Sequence, residues 1–380
     1  MKSLITSESC NIGHPDKTCD YIADCFLDEA LRQDPDSQMA VECAIKDDVL
    51  MIYGEATTKA LLNYSAIAIH ALREIGYKID RFRVVQQISE QSGEINKAVT
   101  KGKLAANDQG IVYGYATNET PEFMPLPIII AHKLMQSYET FRRAHPDNYF
   151  ADAKSQITVE YENRRPLCVH TVLMSVSHSD TIQRSDIEFD MKNGIIYPVL
   201  WACGFPADKN TAIIINPSGS FTKWGSFADS GCVGRKIIVD TYGGVGRVGG
   251  GCFSSKNATK VDRSGAYYAR YAAKNVVAAG LADKCEIQVG YGIGLAEPIS
   301  VSLDTFGTGK FQDDKLLKAT LKVFDFSPAN IIKELDLLKP IYSQTSNYGH
   351  FGRDGFTWER VDKIKKLHQI CLGLNFNKEP

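Results

Sequence analysis

The sequence predicts an α+β protein made of three related units of β-α-β-β-α-β character. Three observations predict it. An order of helix, hairpin, helix and strand occurs near the start and returns twice. Its helices carry apolar residues at helical spacing, and its strands are short β-rich runs bounded by turn residues. The length of 380 residues, with 44% hydrophobic and 23% charged residues, suits a soluble globular chain of two or three domains. The repetition is one of pattern and not of residue identity, so three unrelated α+β segments is the competing reading.

In the first unit, Pro15 suits the first helical position and Asp16 and Asp20 suit the positive helix start. The helix runs to about 33, where Asp34-Pro35-Asp36 stops it. A hairpin follows, 38–46 with 49–56 around Asp47-Asp48, then a helix over 59–75 ending at Gly76 and a strand over 81–88. The second unit has a strand at 110–117, a helix at 128–144, a hairpin of 155–162 with 166–176, a helix at 185–201 and a strand at 211–216. The third has a strand at 236–241, a helix at 261–282, a hairpin of 286–292 with 299–305 and a helix at 313–324. It departs at its end, where 327–338 reads as helix in place of a strand. The turn Tyr348-Gly-His350-Phe-Gly352-Arg353 reads as a domain cap, and 356–366 and beyond as a final amphipathic helix. The domains expected are 1–97, 108–226 and 228–380. The polar segment 89–108 is long for a plain connection, so a lid over a site and an ordinary exposed loop both fit it.

Composition excludes several classes. A net charge of −2 argues against bulk nucleic-acid binding, which needs a basic face. Ten cysteines without a C-x-x-C pair indicate neither a zinc site nor a thioredoxin-like motif. The start lacks an apolar signal region and no stretch reaches transmembrane length, so reduced thiols in the cytoplasm are expected.

The stretch from Asp229 to Arg263 carries the chemistry. It holds eight glycines, the cations Arg235, Lys236, Arg247, Lys256 and Lys260, and the acids Asp229, Asp240 and Asp262. Glycines let backbone N–H groups approach an anion, spaced cations suit a polyphosphate, and interspersed carboxylates suit its magnesium. Gly244-Val-Gly246-Arg-Val-Gly249 fits a dinucleotide fingerprint, but no helix follows it, so that reading is rejected. His14, at a helix start beside Asp16 and Lys17, can donate to an oxyanion; a lone histidine is more often structural. Lys154, alone, reads as a surface lysine, and Glu42 and Glu55 on hairpin strands as solvated acids. The residues by themselves lead to a magnesium polyphosphate, a nucleotide first among them, and name no reaction.

Together the motifs resemble the S-adenosylmethionine synthetases (methionine adenosyltransferases). TSES at 6–9, GHPDK at 13–17, NDQG at 107–110, YGYATNET at 113–120, DAKSQ at 152–156, GRKIIVDTYGG at 234–244, KVDRS at 260–264 and YGHFGRD at 348–354 carry this, almost end to end. The resemblance implies three α+β domains about a pseudo-threefold axis, and a homodimer, pairing into a homotetramer in many members, with sites between subunits. It implies that the sulfur of L-methionine attacks C5′ of ATP, giving S-adenosylmethionine and a triphosphate that is hydrolysed to phosphate and diphosphate. By position, His14, Lys154, Arg235, Lys236 and Lys256 would be catalytic. Asp152, Ser220, Phe221, Asp229 and Cys252 would join them around ATP. Glu55, Gln91, Asp108, Asp229 and Lys260 would hold methionine, with Lys260 also near the phosphates. Asp16 and Asp262 would bind two Mg²⁺ per site, Glu42 would bind K⁺, and 89–108 would be the mobile loop. The sequence departs from the usual family pattern at Ile12, Ser220, Trp224, Cys252, Ser255 and Asn257, where glutamate precedes the Gly-His, arginine is common at 220, and alanine, glycine and aspartate are usual at 252, 255 and 257. A polyphosphate hydrolase and a non-catalytic nucleotide-binding partner subunit are the alternatives.

Overall fold

A computed structural model describes residues 2–90 and 104–375. The first unit contains β1 (Lys2–Cys10), α1 (Pro15–Gln33), β2 (Gln38–Lys46), β3 (Val49–Thr57), α2 (Tyr64–Ile75) and β4 (Arg83–Ser89). The second contains β5 (Gly110–Thr117), α3 (Leu126–Ala144), β6 (Tyr149–Glu162), β7 (Arg165–His178), α4 (Arg184–Asp190), α5 (Tyr197–Ala202) and β8 (Ala212–Ile215), with a π-helical segment, Met191–Ile196, between α4 and α5. The third contains β9 (Gly231–Cys232), α6 (Ile237–Asp240), α7 (Val261–Ala278), β10 (Lys284–Tyr291), β11 (Ser300–Asp304), α8 (Asp313–Val323) and α9 (Pro328–Glu334), and α10 (Ile364–Asn375) is the last described element.

The strands form sheets ordered β9-β2-β3-β4, β1-β6-β7-β8 and β5-β10-β11. Each sheet is a hairpin flanked by a strand from another unit. The leading strand of unit one joins the hairpin of unit two, that of unit two joins unit three, and that of unit three returns to unit one. All three guest strands pair antiparallel, with Thr6 opposite Thr158, Tyr113 opposite Gln288 and Cys232 opposite Ala44. The closing strands β4 and β8 pair parallel with their hairpins. The third sheet lacks that strand, and α9 follows α8 instead, as the sequence suggests. Two glycines permit the exchange. A side chain on Gly114 would strike the backbone of Ala269 on α7, and one on Gly231 would strike Pro15 at the head of α1. These two guest strands therefore lie directly on their hosts' helices.

Each sheet buries one face under helices, giving three cores: α1, α2 and the first hairpin; α3 to α5 and the second; α7, α8 and the third. The turn at 348–353 is buried where the units meet. His350 is fully buried, with Nδ1 2.7 Å from the Tyr267 hydroxyl, and Tyr348 donates to Asn11 Oδ1 at 2.8 Å. This agrees with a structural role for the turn.

Several expectations need correction. Residues 236–241 hold the single helical turn α6, not a strand, because Asp240 N–H returns to Lys236 O at 2.9 Å and Thr241 Oγ1 donates to Ile237 O at 2.7 Å. The strand role falls to Gly231–Cys232. The sequence reading also missed β1, whose serines and Glu8 hide its alternation. The helix expected at 59–75 begins only at Tyr64, where the Asn63 side chain caps it. The terminal helix begins at Ile364; the preceding Thr357–Glu359 turn turns Glu359 inward to pair with Arg270 and Lys274. Among the described residues no helix is long and apolar enough to cross a membrane.

Candidate active site

The site is built around the first turns of α1. His14 caps this helix, Nδ1 accepting from Asp16 N–H at 3.2 Å, and Pro15 follows at the first helical position. Four aspartates then recur at every fourth residue, so they share one helix face. Asp16 accepts from Cys232 N–H at 3.0 Å and Asp20 from Gly234 N–H at 2.9 Å. Asp24 accepts from Ser255 N–H and makes a two-pronged pair with Arg263 at 2.8 Å on each prong. Asp28 accepts from the N–H groups of Tyr342 and Ser343. One helix face thereby fixes the glycine-rich stretch by its backbone. Lys17, fully buried, lies among these acids and donates to Asp20 at 2.9 Å and to Asp240 at 2.5 Å.

The first cluster gathers on the outer side of this clamp. Lys236 Nζ lies 2.5 Å from Asp16 Oδ2, and Arg235 Nε 3.6 Å from Asp16 Oδ1. Lys236, Lys154 and Asp229 all act on His14 electrostatically. Burial, then Lys236 and Lys154, push the His14 pKa down to about 2. The ring is therefore neutral, and because Nδ1 accepts from Asp16 N–H, Nε2 carries the proton. It is a preformed donor toward an anion. Asp152 is buried one strand residue pair away, accepts from Gly225 N–H at 2.9 Å, and has its carboxyl raised to about 6 by burial, with Lys154 opposing. Beyond it His178 holds the backbone of Phe221 through two hydrogen bonds, and the exposed Ser220 precedes.

The second cluster gathers on the other side of Gly234, whose missing side chain would strike Cys252. Lys256 donates to Asp262 at 2.6 Å. Lys260 is lowered by burial and by Lys256, against the pull of Glu55, Asp108 and Asp262. Glu42 accepts from the Tyr53 hydroxyl at 3.3 Å and acts on Cys252, whose thiol burial raises to about 11, so it stays neutral. Asn257 ties this segment to β2, with Oδ1 accepting from Met39 N–H at 3.2 Å and Nδ2 donating to Thr259. Trp224, by contrast, is held by ring contacts with Tyr77 and Phe150. Gln91 and most of the segment 89–108 lie outside the described residues.

The chain thus presents two partial constellations: His14, Asp16, Asp152, Lys154, Asp229, Arg235 and Lys236 in one, Glu42, Glu55, Asp108, Cys252, Lys256, Lys260 and Asp262 in the other. Among the described residues no group of three or more acid, histidine or cysteine side chains could hold a metal alone. The single carboxylates Asp16 and Asp262, paired with Lys236 and Lys256, would instead fit a divalent ion whose remaining ligands come from a bound polyphosphate and water. Sequence reasoning missed Lys17, Asp24, Asp28 and His178. The four-residue spacing of aspartates along α1, Asp16, Asp20, Asp24 and Asp28, was the available signal for the clamp.

Comparison with known proteins gives matches along the chain. Family models match at residues 2–98 (S-adenosylmethionine synthetase, N-terminal domain), 103–221 (central domain) and 224–360 (C-terminal domain). The chain is 48% identical over 390 aligned residues to an S-adenosylmethionine synthase of Oenococcus oeni, covering 97% of this chain and 99% of that one. It is 45% identical to that of Sorangium cellulosum, covering 97% and 90%, and 46% identical to that of Treponema denticola, covering 96% and 97%.

Proposed function

The chain belongs to the S-adenosylmethionine synthetase family, and from this premise we propose that its two clusters are halves of one ATP and methionine site, each completed by the other half in a second copy of the chain. The enzyme is a methionine adenosyltransferase: the methionine sulfur attacks C5′ of ATP, forming S-adenosylmethionine and triphosphate. The triphosphate is then hydrolysed to phosphate and diphosphate.

Sulfur needs no base, so the protein's task is the leaving group, on which negative charge grows. The neutral His14 donates its Nε2–H to the departing oxygen. Lys154, Arg235 and Lys236 from one half, and Lys256 from the other, hold the phosphate chain. Asp16 and Asp262 would hold magnesium, which supplies further neutralisation of the triphosphate. Glu42 would hold a potassium ion beside the site. Glu55, Asp108, Asp229 and Gln91 grip methionine and align sulfur with C5′, with Lys260 beside them. Asp152, Ser220, Phe221 and Cys252 face the nucleoside. The reaction proceeds in the cytoplasm.

The observation that carries this reading is the Asp16–Lys236–His14 arrangement. A neutral donor and two basic side chains are set at one helix start by backbone clamps that need no ligand. Support for the shared site comes from the exposure of Glu55, Asp108, Lys154, Asp229 and Arg235, charged groups that a second copy would cover. The test is an assay with ATP, methionine and Mg²⁺, with and without K⁺, detecting S-adenosylmethionine by mass alongside phosphate. Product in step with phosphate is expected, from a species that sediments as a dimer or larger. Phosphate without product, or activity from an isolated monomer, would refute the respective part.

A further inference from the structure

Beside Ser220 lies a cavity of about 450 Å³, a size common for small-molecule sites. Ile182, Ile187 and Ile215 form its apolar wall, and His178, Asp180, Arg184, Glu188, Asn216 and Thr222 its polar one. Arg184 donates to Glu188 at 3.1 Å, so these charges satisfy each other and ask for no ionic ligand. Asp180 is exposed, and the wall of three isoleucines suits an uncharged, apolar group.

A rigid strip leads to this cavity from the phosphate cluster. Lys154 pairs with Ser175 across β6 and β7, and Ser177 Oγ donates to Asp152 O at 2.6 Å. The next residue, His178, donates its N–H to Phe221 O at 3.0 Å, and its Nε2 accepts from Phe221 N–H at 3.1 Å. Its Nδ1 is 2.8 Å from Ser179 O, which can only accept, so Nδ1 carries the proton and both ring nitrogens are committed. Phe221 is fixed without a ligand, and the cavity opens at Ser220 next to it. A longer residue at 220, such as the arginine common in the family, would project into this space. Serine leaves it empty.

We propose that this cavity is a subsite for substituents on the purine, so that this enzyme accepts adenosine triphosphates enlarged by an apolar group on the exocyclic amine. The proposal rests on the ATP reading above. Along the strip the triphosphate lies at His14, Lys154 and Lys236, the nucleoside reaches Phe221, and the substituent passes Ser220 toward Ile182, Ile187 and Ile215.

The probe is N6-benzyl-ATP with methionine, compared with ATP, with the benzylated sulfonium product detected by mass. The unmodified chain is expected to use it with kcat/KM within about tenfold of ATP. Ile182→Trp and Glu188→Trp each fill the cavity from walls outside the catalytic machinery. Each is expected to lower kcat/KM for the benzyl substrate by about tenfold or more and to leave ATP unchanged. Two variants, each checked by its thermal transition, keep the result independent of either one's folding. Turnover of ATP with less than about a hundredth of that efficiency for the benzyl substrate would overturn the subsite and leave the synthetase reading intact. So would variants that lower both substrates alike or neither. A chain inactive with ATP overturns the underlying reading and this one with it.

Discussion

Replacing Lys17 by methionine removes a fully buried ammonium that donates to Asp20 at 2.9 Å and to Asp240 at 2.5 Å. The isosteric apolar side chain leaves little cavity, so the loss is electrostatic. Both carboxyls are already pushed upward by burial, and Lys17 is the first group opposing that shift in each. Without it they stand buried and uncompensated, a situation that costs about 3–5 kcal/mol. At roughly 2–4 °C per kcal/mol, the thermal midpoint falls by roughly 6–20 °C. The carboxyls escape the penalty by binding protons. Their folded pKa values lie above their unfolded ones, so the protonated groups contribute stability at low pH that is lost as pH rises through the folded values. The deficit of Lys17→Met is therefore larger at pH 8 than at pH 5.5, measured by urea denaturation at both. Lys17→Met with Asp240→Leu, which removes the pair together, recovers much of it. Activity is expected to fall as well, because Asp20 holds Gly234 and Asp240 ends the turn that begins at Lys236, so Arg235 and Lys236, the cations proposed to hold phosphate, lose their anchorage. A deficit below about 1 kcal/mol at pH 8, the range of an exposed pair, would refute the reasoning.

Ser255 has φ of 76° and a buried hydroxyl without a hydrogen-bond partner among the described residues. Ser255→Gly relieves both and is expected to stabilise by about 1–3 kcal/mol, read from the urea midpoint; an unchanged midpoint sinks the idea. The Asp152 carboxyl, raised to about 6, contributes stability below its unfolded value that is lost as pH rises through 6. Asp152→Asn should abolish that loss, worth roughly 3 kcal/mol between pH 4 and pH 8, and parallel pH profiles for the two proteins would count against it. His14→Asn keeps a capping side chain, so its melting temperature should hold while kcat falls by about 10²–10³. Retention of kcat would remove His14 from the leaving-group role. Glu42→Gln is expected to abolish stimulation by K⁺, seen as equal rates with and without the ion, and undiminished stimulation would move the ion elsewhere.

Local sequence determined the elements whose periodicity is strong. The helix that begins at Pro15, the three hairpins and the helix that begins at Val261 follow from apolar spacing, caps and turn residues, which act within a few residues. The glycine, cation and acid content of 229–263 is likewise legible in the sequence, and its reading as an anion site rests on that composition. Tertiary structure decided what depends on distant partners. Gly231–Cys232 is a strand because Ala44 and Ile45 pair with it, and Ile237–Asp240 is helical although its β-branched residues favour a strand. Lys17 gave no signal beyond its place beside His14, because its partner Asp240 lies 223 residues away. The cyclic exchange of leading strands has no signal in any one unit, since a guest strand looks the same whichever sheet receives it. Residue chemistry is carried by the chain itself. The neutral state of His14 and the division of the cations and acids between two clusters arise only when burial and long-range contacts fix the local field.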